Sequence, residues 1–321
     1  MQCYISHKSA LEFFRGSNRE SLASNRLSRI SRLPVRQPEG AFLKEHRYWG
    51  LTPPLDILIS EERGRWPSQE FNVHLHKGAL PNRSFFSVGE GLFVSRPEYC
   101  LLQMASTLSL VGLIELGYEL CGNYSLAPLS SVNGDRETSA HFNRRPLTNT
   151  KKIAAFLGNA NGLHGRKKAI RALRYVLDGS ASPMETILVL LLTLPFKMGG
   201  YHLPMPELNA RMLPSRRGGQ SASKAHYSCD LYWPDQDVTI EYDSDAFHTG
   251  GTSAARDAQK RNYLTATGLA PFSVTPVLLY NADALDGVAV QVAASLGKRL
   301  QYEKVKFVKA RASLRKELLR L

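Results

Sequence analysis

Ser228-Cys-Asp-Leu-Tyr-Trp-Pro-Asp-Gln-Asp-Val-Thr-Ile-Glu-Tyr-Asp243 is the stretch whose reading decides the fold. Pro234-Asp-Gln-Asp237 is turn chemistry, and apolar and polar residues alternate on either side of it. A turn of two or four residues, centred between Asp235 and Gln236, sets one register. In that register Trp233 faces Val238, Leu231 faces Ile240 and Cys229 faces Tyr242, which makes an apolar face. The other face pairs Tyr232 with Thr239, Asp230 with Glu241 and Ser228 with Asp243. A slip of one residue breaks both faces. The pattern therefore predicts an antiparallel hairpin that sets Asp230 against Glu241, with Leu231 and Ile240 buried on the reverse side.

Directly opposed residues have Cβ atoms about 5 Å apart. Two carboxylates at that distance repel by about 3 kcal/mol at an effective dielectric of about 20. Asp243, two residues beyond Glu241 on the same face, adds to the repulsion. Three explanations fit such a cluster: a divalent cation, a neighbouring Lys or Arg, or a raised pKa that neutralises one acid. Under the first, Asp230, Glu241 and Asp243 are the metal ligands. Hard oxygen donors suit Mg2+ or Mn2+, and magnesium keeps waters and takes phosphate oxygens, as phosphodiester cleavage requires.

Three further groups stand near the hairpin in the argument. Glu185 is the third residue of a helix opened by Ser182-Pro-Met-Glu185, where a capping box and a role in the site both fit. His248, five residues past Asp243, is read either as a proton shuttle or as a surface histidine. Asp257, Lys260 and Arg261 share one expected helix. There Lys260 either pairs with Asp257 one turn away or contacts phosphate or the attacking water.

Taken in order, Ser182-Pro-Met-Glu185, Cys229-Asp230-Leu231, Ile240-Glu241-Tyr242-Asp243-Ser244, His248 and Asp257…Lys260-Arg261-Asn262-Tyr263-Leu264…Gly268 resemble the Vsr-like branch of the PD-(D/E)XK nucleases. The resemblance covers about residues 165–300. It implies a mixed sheet flanked by helices, restriction-endonuclease-like, with a magnesium-dependent strand-cleaving site. It implies Asp230 and Glu241 as metal ligands, Asp243 as ligand or base, Glu185 orienting a water and His248 as acid/base or phosphate contact. The lysine usual two residues after the second strand's acid is replaced by Asp243, as in many Vsr-like members, and the glycine after Asp243 is Ser244. Leu55 to Cys121 resembles AbiEi-like type IV antitoxins through Leu55-Asp-Ile-Leu-Ile59, Val73-His-Leu-His76 and Val94-Ser-Arg-Pro-Glu98, with the winged-helix start short or missing. That resemblance implies DNA-binding regulation.

Outward from the hairpin, periodicity and punctuation predict further elements. Strands are expected at Leu55–Ser60 and Phe71–His76, with one or two more in Phe85–Val94. Helices are expected at Tyr99–Thr107, with Ser95 as cap, and at Leu110–Cys121, Lys151–Leu157 and Arg166–Leu177. After the apolar helix that Ser182 opens and Pro195 ends come a strand near Tyr201–Met205, a helix at about 253–267, a strand at Phe272–Thr275 and a helix at Ala284–Gly297. The fold class read from this order is α/β, with an N-terminal α+β domain over 1–124, a linker over 125–150, a nuclease-like domain over 151–300 and a basic tail over 301–321.

The chain has 321 residues and a net charge of +13, and the charge is unevenly placed. Residues 1–50 hold nine Lys/Arg against four Asp/Glu, residues 298–321 nine against two, and residues 144–174 nine with no acid. Basic segments flanking an acidic remainder suit a polyanion partner, DNA, as well as solvated helix faces. Arg166, Lys167, Lys168, Arg171 and Arg174 are the candidate phosphate contacts. Four scattered cysteines with no CxxC pair argue against a disulfide framework or a zinc site, and the absence of a long apolar run argues against a membrane span. Cytoplasm is the expected compartment. The expected function is a divalent-metal-dependent endonuclease acting on DNA. The alternative is a non-catalytic DNA-binding regulator or antitoxin that keeps a nuclease-like fold. Partner toxin, homodimer and DNA site are left open.

Overall fold

The structure, a computed structural model, describes residues 2–16, 32–40, 51–89, 91–128, 140–212, 227–243, 269–300 and 305–320. The chain forms two compact units, Met1–Val176 and Leu177–Leu321. Both are mixed α/β, with sheets of mixed strand direction flanked by helices. Among the described residues no helix is long and apolar enough to cross a membrane.

The first unit opens with β1 (Cys3–Ile5) and α1 (His7–Arg15). β2 (Leu55–Ile59), β3 (Phe71–Leu75), β4 (Phe85–Gly89) and β5 (Leu92–Ser95) complete a sheet of order β3-β2-β1-β5-β4. β1 lies between an antiparallel β2 and a parallel β5. Its three residues are too few to show a period, so the sequence pattern does not announce this central strand. α1 buries Leu11, Phe13 and Phe14 and also Arg15. The Arg15 guanidinium donates to both Glu119 carboxylate oxygens, at 2.8 and 2.7 Å. This cation of the basic N-terminal stretch therefore points inward.

α2 (Pro97–Met104) is capped by Arg96 rather than by the expected Ser95. Ser95 ends β5, and its Oγ accepts from Gln103 Nε2 at 3.1 Å. α3 (Leu110–Cys121) follows the Ser109 cap. β6 (Ser125–Leu126) and β7 (Ala140–His141) form a short antiparallel pair inside the expected linker. α4 (Thr150–Asn159) and α5 (Arg166–Leu173) close the unit. The helices read from residues 151–177 thus lie almost wholly in the first unit, whose boundary falls after Val176.

The second unit is built round α6 (Pro183–Thr193), every residue of which is buried. β8 (Glu207–Met212), β9 (Tyr227–Trp233), β10 (Val238–Tyr242) and β11 (Ala270–Val274) form a sheet of order β11-β10-β9-β8. No strand forms at 201–205. Pro204 and Pro206 remove the amides a ladder needs there. The Tyr201 and Leu203 amides instead donate to the Leu191 and Leu192 carbonyls. α7 (Pro276–Tyr280), α8 (Ala282–Ser295) and α9 (Val305–Leu319) follow.

The expected basic tail is the packed helix α9. Phe307, Leu314 and Leu318 recur along one stripe and are buried. Arg311 pairs with Asp286, and Arg315, only 5% exposed, donates to the Leu279 carbonyl at 2.8 Å. Gly199 (φ 94) lies so close beneath α9 that an added Cβ would stand 2.3 Å from the Ala310 carbonyl oxygen.

Candidate functional site

The hairpin takes the register that its apolar pattern sets. Trp233 pairs with Val238, Tyr232 with Thr239 and Leu231 with Ile240, and Leu231 and Ile240 are both 0% exposed. Asp237, at φ 53, turns the chain back. Asp230 and Glu241 would be the next pair, but the ladder ends before them. The Tyr242 amide donates to Asp230 Oδ2 at 2.8 Å. On the other edge of β10, Glu241 pairs with Ser273 in the parallel β10–β11 ladder, and the Asp243 amide donates to the Val274 carbonyl. Asp230, Glu241 and Asp243 are all half-buried.

On its other edge β9 meets β8. Leu208 pairs with Leu231 and Ala210 with Cys229, so the register sets Asn209 opposite Asp230. Asn209 has φ 49, a conformation that asparagine tolerates better than most residues. Its Nδ2 donates to Glu185 Oε2 and to the Gly179 carbonyl, both at 3.0 Å. No reading of the sequence singled Asn209 out. Its one sequence signal is position: a short polar amide in a strand that the β9 pattern needs as a neighbour.

Glu185 does what a capping residue does and more. Ser182 Oγ accepts the Glu185 amide at 3.0 Å, and Glu185 Oε2 accepts the Ala181 amide at 2.9 Å. That is a capping box displaced by one residue. Yet Glu185 is the one charged residue in Pro183–Thr193, it is 7% exposed, and Asp230 is its neighbour. Burial, then the Asp230 charge, push its carboxyl up to about 7, against the pull of the N–H donors. Among the described residues, the groups that act on it are amides, a hydroxyl and a second carboxylate.

Glu185 and Asp230, 45 residues apart in sequence, are close enough for the charge of one to act on the other, and α6 packs on the sheet at β10. Among the described residues no group of three or more His, Cys, Asp or Glu is arranged to hold a metal ion. His248 and Lys260, with Asp257 and Arg261, lie outside the described residues.

The basic candidates belong to α5 in the first unit and divide into two kinds. Arg166 Nε donates to the Leu157 carbonyl at 2.7 Å and Lys168 Nζ to the Leu108 carbonyl, so both are tied to the fold. Lys167, Arg171 and Arg174 are exposed. Their spacing of four and three residues puts them on one face of the helix.

Compared with family models, with curated proteins and with solved structures, the chain matches none.

Proposed function

We propose that the second unit is a divalent-metal-dependent endonuclease domain of the restriction-endonuclease type, Vsr-like, that cleaves DNA phosphodiester bonds. The observation that carries this reading is the meeting of Glu185 and Asp230. A carboxylate buried in an apolar helix feels the charge of a second carboxylate, and among the described residues the other groups acting on it are N–H donors and a hydroxyl. Such a pair is costly unless a proton or a cation is shared. Mg2+ or Mn2+ fits the oxygen donor set, with Asp230 and Glu185 as the acids already gathered and Glu241 and Asp243 on the strand beside them. Bound there, the ion would supply a Lewis acid for the phosphate and a more acidic water.

The chain's own groups prepare this site. The Tyr242 amide fixes one Asp230 oxygen, and Asn209 and the Ala181 amide fix one Glu185 oxygen. His248 is assigned the acid/base or phosphate-contact role and Lys260 a contact to phosphate or water. Lys167, Arg171 and Arg174 are assigned to phosphate binding, which carries affinity without base information. The test is nicking of supercoiled plasmid. Wild type should relax it with Mg2+ or Mn2+ and not with chelator, and Glu185→Gln and Asp230→Asn should both fail. Binding of DNA by wild type without nicking in either metal would favour the non-catalytic regulator instead.

A further inference from the structure

The first unit holds a cavity of about 910 Å³ that the nuclease reading does not use. β2 and β3 run parallel beneath it, with Leu58 level with His74. Alternation along β3 puts His74 and His76 on the same face. Asp56, 8% exposed, receives its backbone contact from α1: its amide donates to Ser9 Oγ at 2.8 Å. Its carboxylate Oδ1 lies 2.8 Å from His74 Nε2. A carboxylate only accepts, so Nε2 carries the proton, and in the neutral ring Nδ1 is left as a lone pair. Among the described residues His74 Nδ1 has no hydrogen-bond partner.

The His7 ring stacks on His74, with centroids 3.7 Å apart and planes 20° from parallel. His7 holds φ 43 at the first position of α1, a left-handed conformation rare outside glycine. Gln103 Oε1 accepts its amide at 3.1 Å, and Ser6 Oγ lies 3.0 Å from its Nδ1. Strain of this kind persists where the surroundings over-determine it, and it gathers at ligand sites. A second wall is as firmly built. Tyr99 is buried, its hydroxyl lies 2.9 Å from His76 Nδ1, and its ring stands edge-on to Phe85.

The lining carries two exposed cations, Arg65 and Lys77, while the lining acid, Asp56, is engaged by His74. Among the described residues the acidic neighbour of Arg65 is Glu62, at 3.9 Å. Flat rings, a fixed acceptor and peripheral cations describe one kind of ligand. The volume lies within the range that small-molecule sites occupy. We propose that this cavity binds a purine nucleotide. The base stacks against the imidazoles and donates to His74 Nδ1, and the phosphate meets Arg65 and Lys77. Every base offers a flat face for such stacking, and charged phosphate contacts add orientation.

The experiment is thermal melting of the full chain with AMP, GMP, adenosine or inorganic phosphate. AMP or GMP should raise the melting temperature in a concentration-dependent way, and adenosine and phosphate much less. Arg65→Gln/Lys77→Gln changes only exposed side chains and should weaken the nucleotide response about tenfold, the usual worth of a charge-assisted hydrogen bond. His74→Gln should weaken it likewise, and Glu185→Gln should leave it unchanged. No shift with either nucleotide overturns the proposal. So does a shift that survives Arg65→Gln/Lys77→Gln and disappears in Glu185→Gln, since that places the nucleotide in the second unit.

Discussion

Asp230 Oδ2 accepts the Tyr242 amide at 2.8 Å, so a side chain continues the hairpin where the backbone ladder has ended. This bond anchors one oxygen of the carboxylate whose charge acts on Glu185. The acidic centre is thereby assembled from a strand and a buried helix, and Asn209 on the neighbouring strand spans the gap.

Asn209 shares the Glu185 carboxylate with the Ala181 amide. Asn209→Gly keeps a residue at ease with φ 49 and removes both side-chain hydrogen bonds. It should lower stability by about 1–3 kcal/mol, the cost of leaving a buried polar group short of partners. Asn209→Ala adds backbone strain and should cost about 1 kcal/mol more. Urea unfolding of the two variants measures both; equal stability of wild type and Asn209→Gly would show that the amide does not support Glu185.

The two units respond to pH with opposite sign. Burial, with the His74 charge, lowers the His7 pKa from 6.5 to about 3, so the fold keeps its ring neutral. Its contribution is complete above pH 6.5 and is lost as pH falls toward about 3. The Glu185 pKa is raised from 4.5 to about 7. Its contribution is complete below pH 4.5 and is lost as pH rises through about 7. In metal-free buffer His7→Asn should flatten the acid side of the stability profile and Glu185→Gln the neutral side. Asparagine is chosen at position 7 because it accepts positive φ. Profiles parallel to wild type in both variants would contradict the assignment.

The two classes of basic residue on α5 should separate cleanly. Charge reversal at Lys167, Arg171 and Arg174 should weaken DNA binding alike on all sequences and leave the melting temperature nearly unchanged. The salt slope should fall by roughly 0.9 for each phosphate no longer neutralised. Arg166→Ala and Lys168→Ala should act on stability, because those side chains donate to the Leu157 and Leu108 carbonyls. Affinity and its salt dependence, measured beside melting curves, distinguish the two; salt-insensitive binding would make this face merely solvated.

How far the sequence reaches is visible in particular residues. A period of two fixed Leu231 against Ile240, because any slip would expose the core face. The same period set His74 and His76 on one face but did not bring His7 to them from 67 positions away. The meeting of Glu185 with Asp230 is likewise tertiary, since nothing local to Ser182-Pro-Met-Glu185 names a strand partner. Charge count misled at the C-terminus. Arg311 and Arg315 look like tail cations, yet Phe307, Leu314 and Leu318 recur between and around them as a buried stripe.

That stripe makes its own prediction. Phe307→Ala should destabilise the second unit by about 3–5 kcal/mol, as for a fully buried aromatic. Lys316→Ala, an exposed position on the same helix, should stay within about 0.5 kcal/mol of wild type. Chemical denaturation reads both, and indifference to Phe307→Ala would return this segment to a detached basic tail.

The central claim is that Asp230 and Glu185 are gathered for a divalent cation, and melting curves of wild type and Asp230→Asn with and without Mn2+ test it most directly. Asparagine keeps an oxygen for the Tyr242 amide, so the fold survives the substitution. The account predicts that Asp230→Asn melts higher than wild type in metal-free buffer, since it removes the like charge beside Glu185. It also predicts that Mn2+ raises the melting temperature of wild type and not of Asp230→Asn, because a ligand that binds the native state stabilises it by mass action. A wild type whose melting temperature is indifferent to Mn2+, or an Asp230→Asn variant destabilised whether or not metal is present, would contradict it.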